Sequence, residues 1–133
     1  MGRGEVAEMT AYLDTHVLIW LAKGDRQSIS GEAQDALSKS DLLVSPIVLL
    51  ELELLHEIGR LREPAEKVIG FLEAEVDLRV CNLPFRDIMT HGLQEKWTRD
   101  PFDRLIVANA KAAGAPLVTK DERIRQHYRH AIW

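Results

Sequence analysis

"TAYLDTHVLIWLAKGD", residues 10–25, holds the reading on which the fold turns. Its first five residues form a short apolar run that suits a buried strand. "HVLIWLA" continues at helical spacing until Gly24 and Asp25 bring it to a stop. A strand that passes straight into a helix, with Asp14 at the joint, is half of a β-α-β unit. The same grammar recurs outward along the chain. In "DLLVSPIVLLELELLHEIG", residues 41–59, a strand meets Ser45-Pro46, a cap followed by a residue suited to the first helical turn, and the helix stops at Gly59. In "APLVTKDERIRQH", residues 115–127, a strand precedes a short helix over Glu122 to His127.

Between these units, "SGEAQDALSKS" reads as a helix capped by Ser30, and a further helix runs from Pro64 to about Glu75. "DLRVCNL" reads as a third strand, "PFRDIMTHGLQEKW" as helical in spite of Gly92, and "HAIW" as a last edge strand. Alternating strands and helices predict an α/β fold with a parallel sheet covered on both faces, and a working site outside the carboxyl ends of the strands. The 133 residues, 46% of them hydrophobic, suffice for one domain with a single core. Residues 1–8 read as a flexible leader before a domain spanning 9–133, with Met9 as an alternative start.

The single cysteine, Cys81, has no internal partner, and its apolar setting predicts a buried, inert thiol. This and the absence of a long apolar segment or a signal-like N-terminus predict a cytoplasmic protein that does not enter a membrane. The net charge of −4 argues against a protein that coats nucleic acid indiscriminately. The distribution is uneven: residues 1–90 carry 9 Lys+Arg against 16 Asp+Glu, and residues 91–133 carry 8 against 5. The basic final third, with Arg99, Arg104, Lys111, Lys120, Arg123, Arg125 and Arg129, suits guidance of a polyanion or a solvated helix surface.

Several carboxylates fall where a site is expected. Asp14 and Asp121 sit at or just beyond strand ends, and each is also placed to cap a helix. In "TRDPFDRLIVANA", residues 98–110, Asp100 before Pro101 suits an N-cap, and Asp103 lies in the first turn, where the helix dipole favours an acid. Glu51 shares a helical face with Ile47, Leu54, Leu55 and Ile58, apart from the polar stripe of Glu53, Glu57 and Arg60. A carboxylate on an apolar face needs an arginine or a metal, whereas Glu53 reads as solvated. Converging acids repel unless a cation sits among them, and an all-oxygen set selects Mg²⁺ or Mn²⁺. An aspartyl phosphotransferase or a signalling receiver would want a further acid close after Asp14, and two residues on stands His16. A non-catalytic groove for a basic peptide is the remaining alternative.

Four pieces in order, "YLDTHVLIW", the acid within "SPIVLLELELL", "RDPFDRLIVANA" and "LVTKDERI", resemble the PIN-domain ribonucleases, specifically the VapC-type toxins of toxin–antitoxin pairs. The resemblance spans Met9 to Trp133. It implies a three-layer α/β/α sandwich around a mostly parallel five-stranded sheet, and Mg²⁺- or Mn²⁺-dependent hydrolysis of RNA. It further implies a homodimer and a small antitoxin that covers the acidic groove. Its acids correspond to Asp14, Glu51, Asp103 and Asp121, with Asp100 the extra acid of the "DPFDR" variant. Arg104, Lys120 and Thr119, beside these acids, are candidates for contact with substrate phosphate.

Overall fold

A computed structural model describes residues 9–133. The expected leader lies outside the described residues. In chain order the elements are β1 (Met9–Leu13), α1 (Thr15–Lys23), a 3₁₀ turn (Arg26–Ser28), α2 (Gly31–Lys39), β2 (Ser40–Val44), α3 (Pro46–Glu57) and α4 (Ala65–Val76). There follow β3 (Arg79–Val80), α5 (Phe85–Gly92), α6 (Pro101–Ala113), β4 (Leu117–Val118), α7 (Glu122–His127) and β5 (Ala131–Ile132).

The five strands form one sheet in the order β3-β2-β1-β4-β5, and every pairing is parallel. Helices cover both faces, giving the α/β/α sandwich that the alternation predicts: α2 lies along β1, β4 and β5, while α1, α3 and α4 pack together and α3 also meets α6. The carboxyl halves of the central strands are apolar, as burial on two faces requires: Ala11, Tyr12 and Leu13 of β1 and Leu117 and Val118 of β4 belong to the core. Strand order reverses between β1, which continues towards β2, and β4, which continues towards β5. That pair forms the switch point, where an open α/β sheet leaves a crevice at its carboxyl edge. Among the described residues, no helix is long and apolar enough to cross a membrane.

Three local expectations are corrected. The helix begun at Phe85 ends at Gly92 instead of continuing to Trp97. Gly92 lies against Leu105 and Ala108 of α6, and Glu95 is drawn inward to Lys111, so the chain leaves the helix to bury that ion pair. The face of α3 assigned to the core is also shifted, although Ile47 and Leu55 of that face pack against the core partly buried. Val48 and Leu52 are buried, whereas Leu50, Leu54 and Ile58 are 51%, 40% and 65% exposed, and Glu51 is half-buried at the margin. Glu53 is not simply solvated: its carboxylate accepts the Ala65 N–H at 3.0 Å and so caps α4, whose own N-cap, Pro64, supplies no side-chain bond. Cys81 is buried, and its Sγ takes the Leu83 N–H and the Asn109 amide, as suits a structural thiol.

Candidate functional site

Asp14 leaves the carboxyl end of β1 at the switch point, where its N–H is bonded to the Val118 carbonyl of β4. It is 7% exposed. One carboxylate oxygen, Oδ1, accepts the Val17 N–H and caps α1; the other, Oδ2, accepts the hydroxyl of Thr119. Asp100 caps α6 in the same manner, its Oδ1 taking the Phe102 and Asp103 N–H groups. Asp121 caps α7 through the Ile124 N–H at 3.0 Å. Capping and site formation are therefore not alternatives here. A carboxylate has two oxygens, and one suffices for the cap. Each of these helices also turns its positive end towards the acids gathered at its start.

Asp14, Glu51, Asp100, Asp103 and Asp121 line one open hollow of about 480 Å³ together with Thr15, His16, Trp20, Lys120 and Ile124. Glu51 reaches it from α3, held by the Thr15 hydroxyl. Asp103 carries the electrostatic load. Partial burial, and after it the charges of Asp100, Asp121, Glu51 and Asp14, push its carboxyl up to about 7. Burial likewise raises Asp14, with Asp121 adding repulsion, against the Thr119 hydroxyl, the Val17 N–H and His16, all of which favour its charged form.

The sign of the pH dependence follows. Asp103 titrates at 3.8 when unperturbed and at about 7 in the fold, so between those values the native state binds the extra proton, and stability falls as pH rises. After allowance for solvent screening at this half-exposed group, the loss amounts to about 1–2 kcal/mol. Asp103→Asn removes it, so in metal-free buffer the variant should gain on the wild type by that amount between pH 4 and pH 8. Urea midpoints across this range check the outcome; a gap that stays constant or narrows with pH refutes it.

Among the described residues, no three His, Cys, Asp or Glu side chains stand close enough to enclose an ion directly. The donors facing the hollow are mostly oxygens, five carboxylates and the Thr15 hydroxyl with the His16 ring beside them, and such a set suits a hard cation. Mg²⁺ keeps several waters and needs only one or two carboxylates, so an open set of acids fits it better than a closed cage would. The raised Asp103 carboxyl is the group whose charge such a cation would neutralise.

Two of the residues expected to meet phosphate are placed otherwise. Thr119 is fully buried, its hydroxyl donating to Asp14 and accepting the Asp121 N–H, so it positions two acids and offers nothing to a ligand. Arg104 turns its Nε to the Glu95 carbonyl at 2.7 Å and is not part of the wall of the hollow. Lys120 does line it, exposed, with Nζ 5.9 Å from the centroid of the Trp20 ring. His16 and Trp20 were not legible as site residues, although their spacing of four, starting two residues after Asp14, puts both on one face of α1 beside the acid.

The chain matches the PIN domain family model over residues 11–130. It is 37% identical over 121 residues to Ribonuclease VapC22 of Mycobacterium tuberculosis, covering 89% of this chain and 92% of that protein. Solved structures share the fold. A toxin-antitoxin complex from Klebsiella pneumoniae superposes with a TM-score of 0.63 at 19% identity, over 93% of this chain and 97% of that one. VapBC-1 from nontypeable Haemophilus influenzae gives 0.62 at 22% identity, over 89% and 91%.

Proposed function

The chain belongs to the PIN-domain family, and from that premise we propose that it is a metal-dependent endoribonuclease of the VapC toxin type, hydrolysing RNA phosphodiester bonds at the hollow below Asp14. One observation carries the reading. Five carboxylates, drawn from segments far apart in sequence, face a single hollow at the switch point of a parallel sheet, where burial and, after it, their mutual repulsion push the Asp103 carboxyl up to about 7. Such an arrangement costs stability and is useful once a cation and a phosphate are brought to it.

Bound there, Mg²⁺ or Mn²⁺ would supply Lewis-acid polarisation of the phosphate and a lowered water pKa. Asp14, Asp103 and Asp121 are the residues that would hold it, one or two of them directly and the remainder through its waters, with Glu51 and Asp100 binding it or orienting water. Thr119 fixes the Asp14 carboxylate against rotation and, through the Asp121 N–H, sets the distance between the two strand-end acids. Thr15 does the same for Glu51. Lys120, on the rim, is suited to a substrate phosphate on approach.

The outward apolar residues Leu50, Leu54 and Ile58 of α3 support a homodimer, and an apolar groove lined by Trp20, Leu21, Ile29, Leu37 and Phe71 supports an antitoxin segment that continues past Trp20 into the acids. An antitoxin arginine would meet excess negative charge there. The deciding experiment incubates the purified chain with defined transfer, ribosomal and messenger RNAs in Mg²⁺ or Mn²⁺, with and without chelator. Discrete cleavage that chelator abolishes is the expected result. Intact RNA in every metal-containing reaction, from a folded protein, overturns the proposal and leaves the hollow as a docking groove.

A further inference from the structure

The wall of the hollow is not uniformly acidic: on the side of α1 it is aromatic. Trp20 is half-buried, with the His16 ring 6.2 Å away and the Trp133 ring 6.0 Å away, both inclined at 48°. Lys120 adds its ammonium above the same indole. Both neighbouring rings are therefore tilted against Trp20, Lys120 holds only a cation over it, and among the described residues no ring lies flat on it. The contrast with Trp97 is informative. Trp97 is stacked by His127 at 4.7 Å and 7°, and Arg123 approaches the same ring, so that indole already has its partner. Trp20 is the indole that lies beside the carboxylates and still lacks a coplanar neighbour.

From this juxtaposition we infer that the Trp20 ring, framed by His16, Trp133 and Lys120, is a stacking subsite for one unpaired nucleobase next to the phosphate held at the acids. The inference rests on the nuclease reading of the hollow and adds to it what the enzyme grips besides phosphate. An indole face accepts any base, and it accepts one only when the base is free of a duplex. Lys120 gives the subsite its second contact. Its cation–π interaction at an exposed position is weak, so a phosphate can draw the ammonium away and uncover the ring. The aromatic shelf and the cation lie within one nucleotide's reach of Asp121, since Lys120 immediately precedes it in the chain. The subsite favours single-stranded RNA over duplex for a physical reason independent of sequence.

The test compares wild type, Trp20→Leu and Trp20→Phe on a single-stranded RNA that the wild type cleaves, in versions lacking one base at each position around the cleaved bond. Removing one particular base should lower wild-type kcat/KM by about 10- to 100-fold. Trp20→Leu should show that same loss on intact RNA and no further loss on the abasic one, while Trp20→Phe keeps most of the activity. If Trp20→Leu cleaves intact RNA normally, or loses the same factor on intact and abasic RNA alike, the subsite is refuted; in the second case Trp20 serves packing or protein docking. A second arm needs no turnover. Quenching of tryptophan fluorescence by oligouridylate in Ca²⁺ should have its midpoint shifted at least about 10-fold by Trp20→Leu, and an unshifted midpoint overturns the inference even where cleavage is intact. Absence of any cleavage by the wild type overturns the nuclease reading instead, and the fluorescence arm still decides the subsite.

Discussion

Asp14→Asn should lower metal-dependent RNA cleavage by at least about 10²–10³-fold while leaving the melting temperature at or slightly above that of the wild type. Both halves follow from what the side chain does. Asparagine keeps Oδ1, so the Val17 N–H retains its acceptor and α1 its cap, for which Asn is as good a residue as Asp. What disappears is the charge and the second acceptor oxygen, so the Thr119 hydroxyl must accept from the new amide instead of donating to it. At 7% exposure that charge is disfavoured by burial and by Asp121, so its removal relieves the fold and eases Asp103 at the same time. On the proposed reading the cation would lose a ligand at the switch point, where no other acid occupies the carboxyl end of β1. Glu51→Gln should repeat the pattern from α3, where the Thr15 hydroxyl still has an oxygen to bond. Single-turnover cleavage at saturating Mn²⁺, measured beside a thermal melt, separates the two effects. Wild-type cleavage by either variant, or a large drop in melting temperature with it, would show that these acids serve structure alone.

The second large effect lies away from the hollow and acts on stability. Lys111→Met should destabilise the protein by about 2–4 kcal/mol, a fall of roughly 10 °C in melting temperature. Glu95 is 3% exposed, in the loop that follows α5. Its Oε2 takes the Lys111 ammonium at 2.6 Å and its Oε1 the Trp97 indole N–H at 2.8 Å, while its carbonyl takes Arg104. Without Lys111 a buried carboxylate keeps only the indole, and an uncompensated buried charge costs more than the pair contributed. Because Trp97 precedes Asp100 by three residues and its carbonyl is gripped by Arg123 of α7, loosening this knot should also blur the placement of the Asp100 cap and weaken Mn²⁺ binding. The double variant Glu95→Leu with Lys111→Met removes both charges and should recover more than half of the lost stability. Equal melting of wild type and Lys111→Met would mean that the pair is solvated and holds nothing.

How far these features could be read without coordinates differs from element to element. The strand-to-helix joints were legible because their signals are local: Ser30, Ser45, Asp14, Asp100 and Asp121 all cap the helices expected of them, and Gly24 and Gly114 end theirs in left-handed backbone. The orientation of α3 was not. "PIVLLELELL" is apolar nearly all round, so periodicity could not say whether Val48 and Leu52 or Leu54 and Ile58 would be buried. The end of α5 was missed because its cause, Lys111, lies 16 residues away from Glu95. Thr119, next to Lys120 and Asp121, was expected to face a substrate phosphate. Its burial depends on β4 lying beside β1, a pairing between segments 105 residues apart.

Taken by itself, the chain's order of residues determined which segments are strands and helices, where each helix starts, and that several acids stand at those starts, since backbone bonding and capping are settled within a few residues. Only the tertiary structure decided that the acids from β1, α3, α6 and β4 share one hollow beside Trp20, that Thr119 serves Asp14, and that Arg104 is turned elsewhere. Strand order and helix facing are chosen by burying the whole apolar surface at once, and no local stretch contains that information.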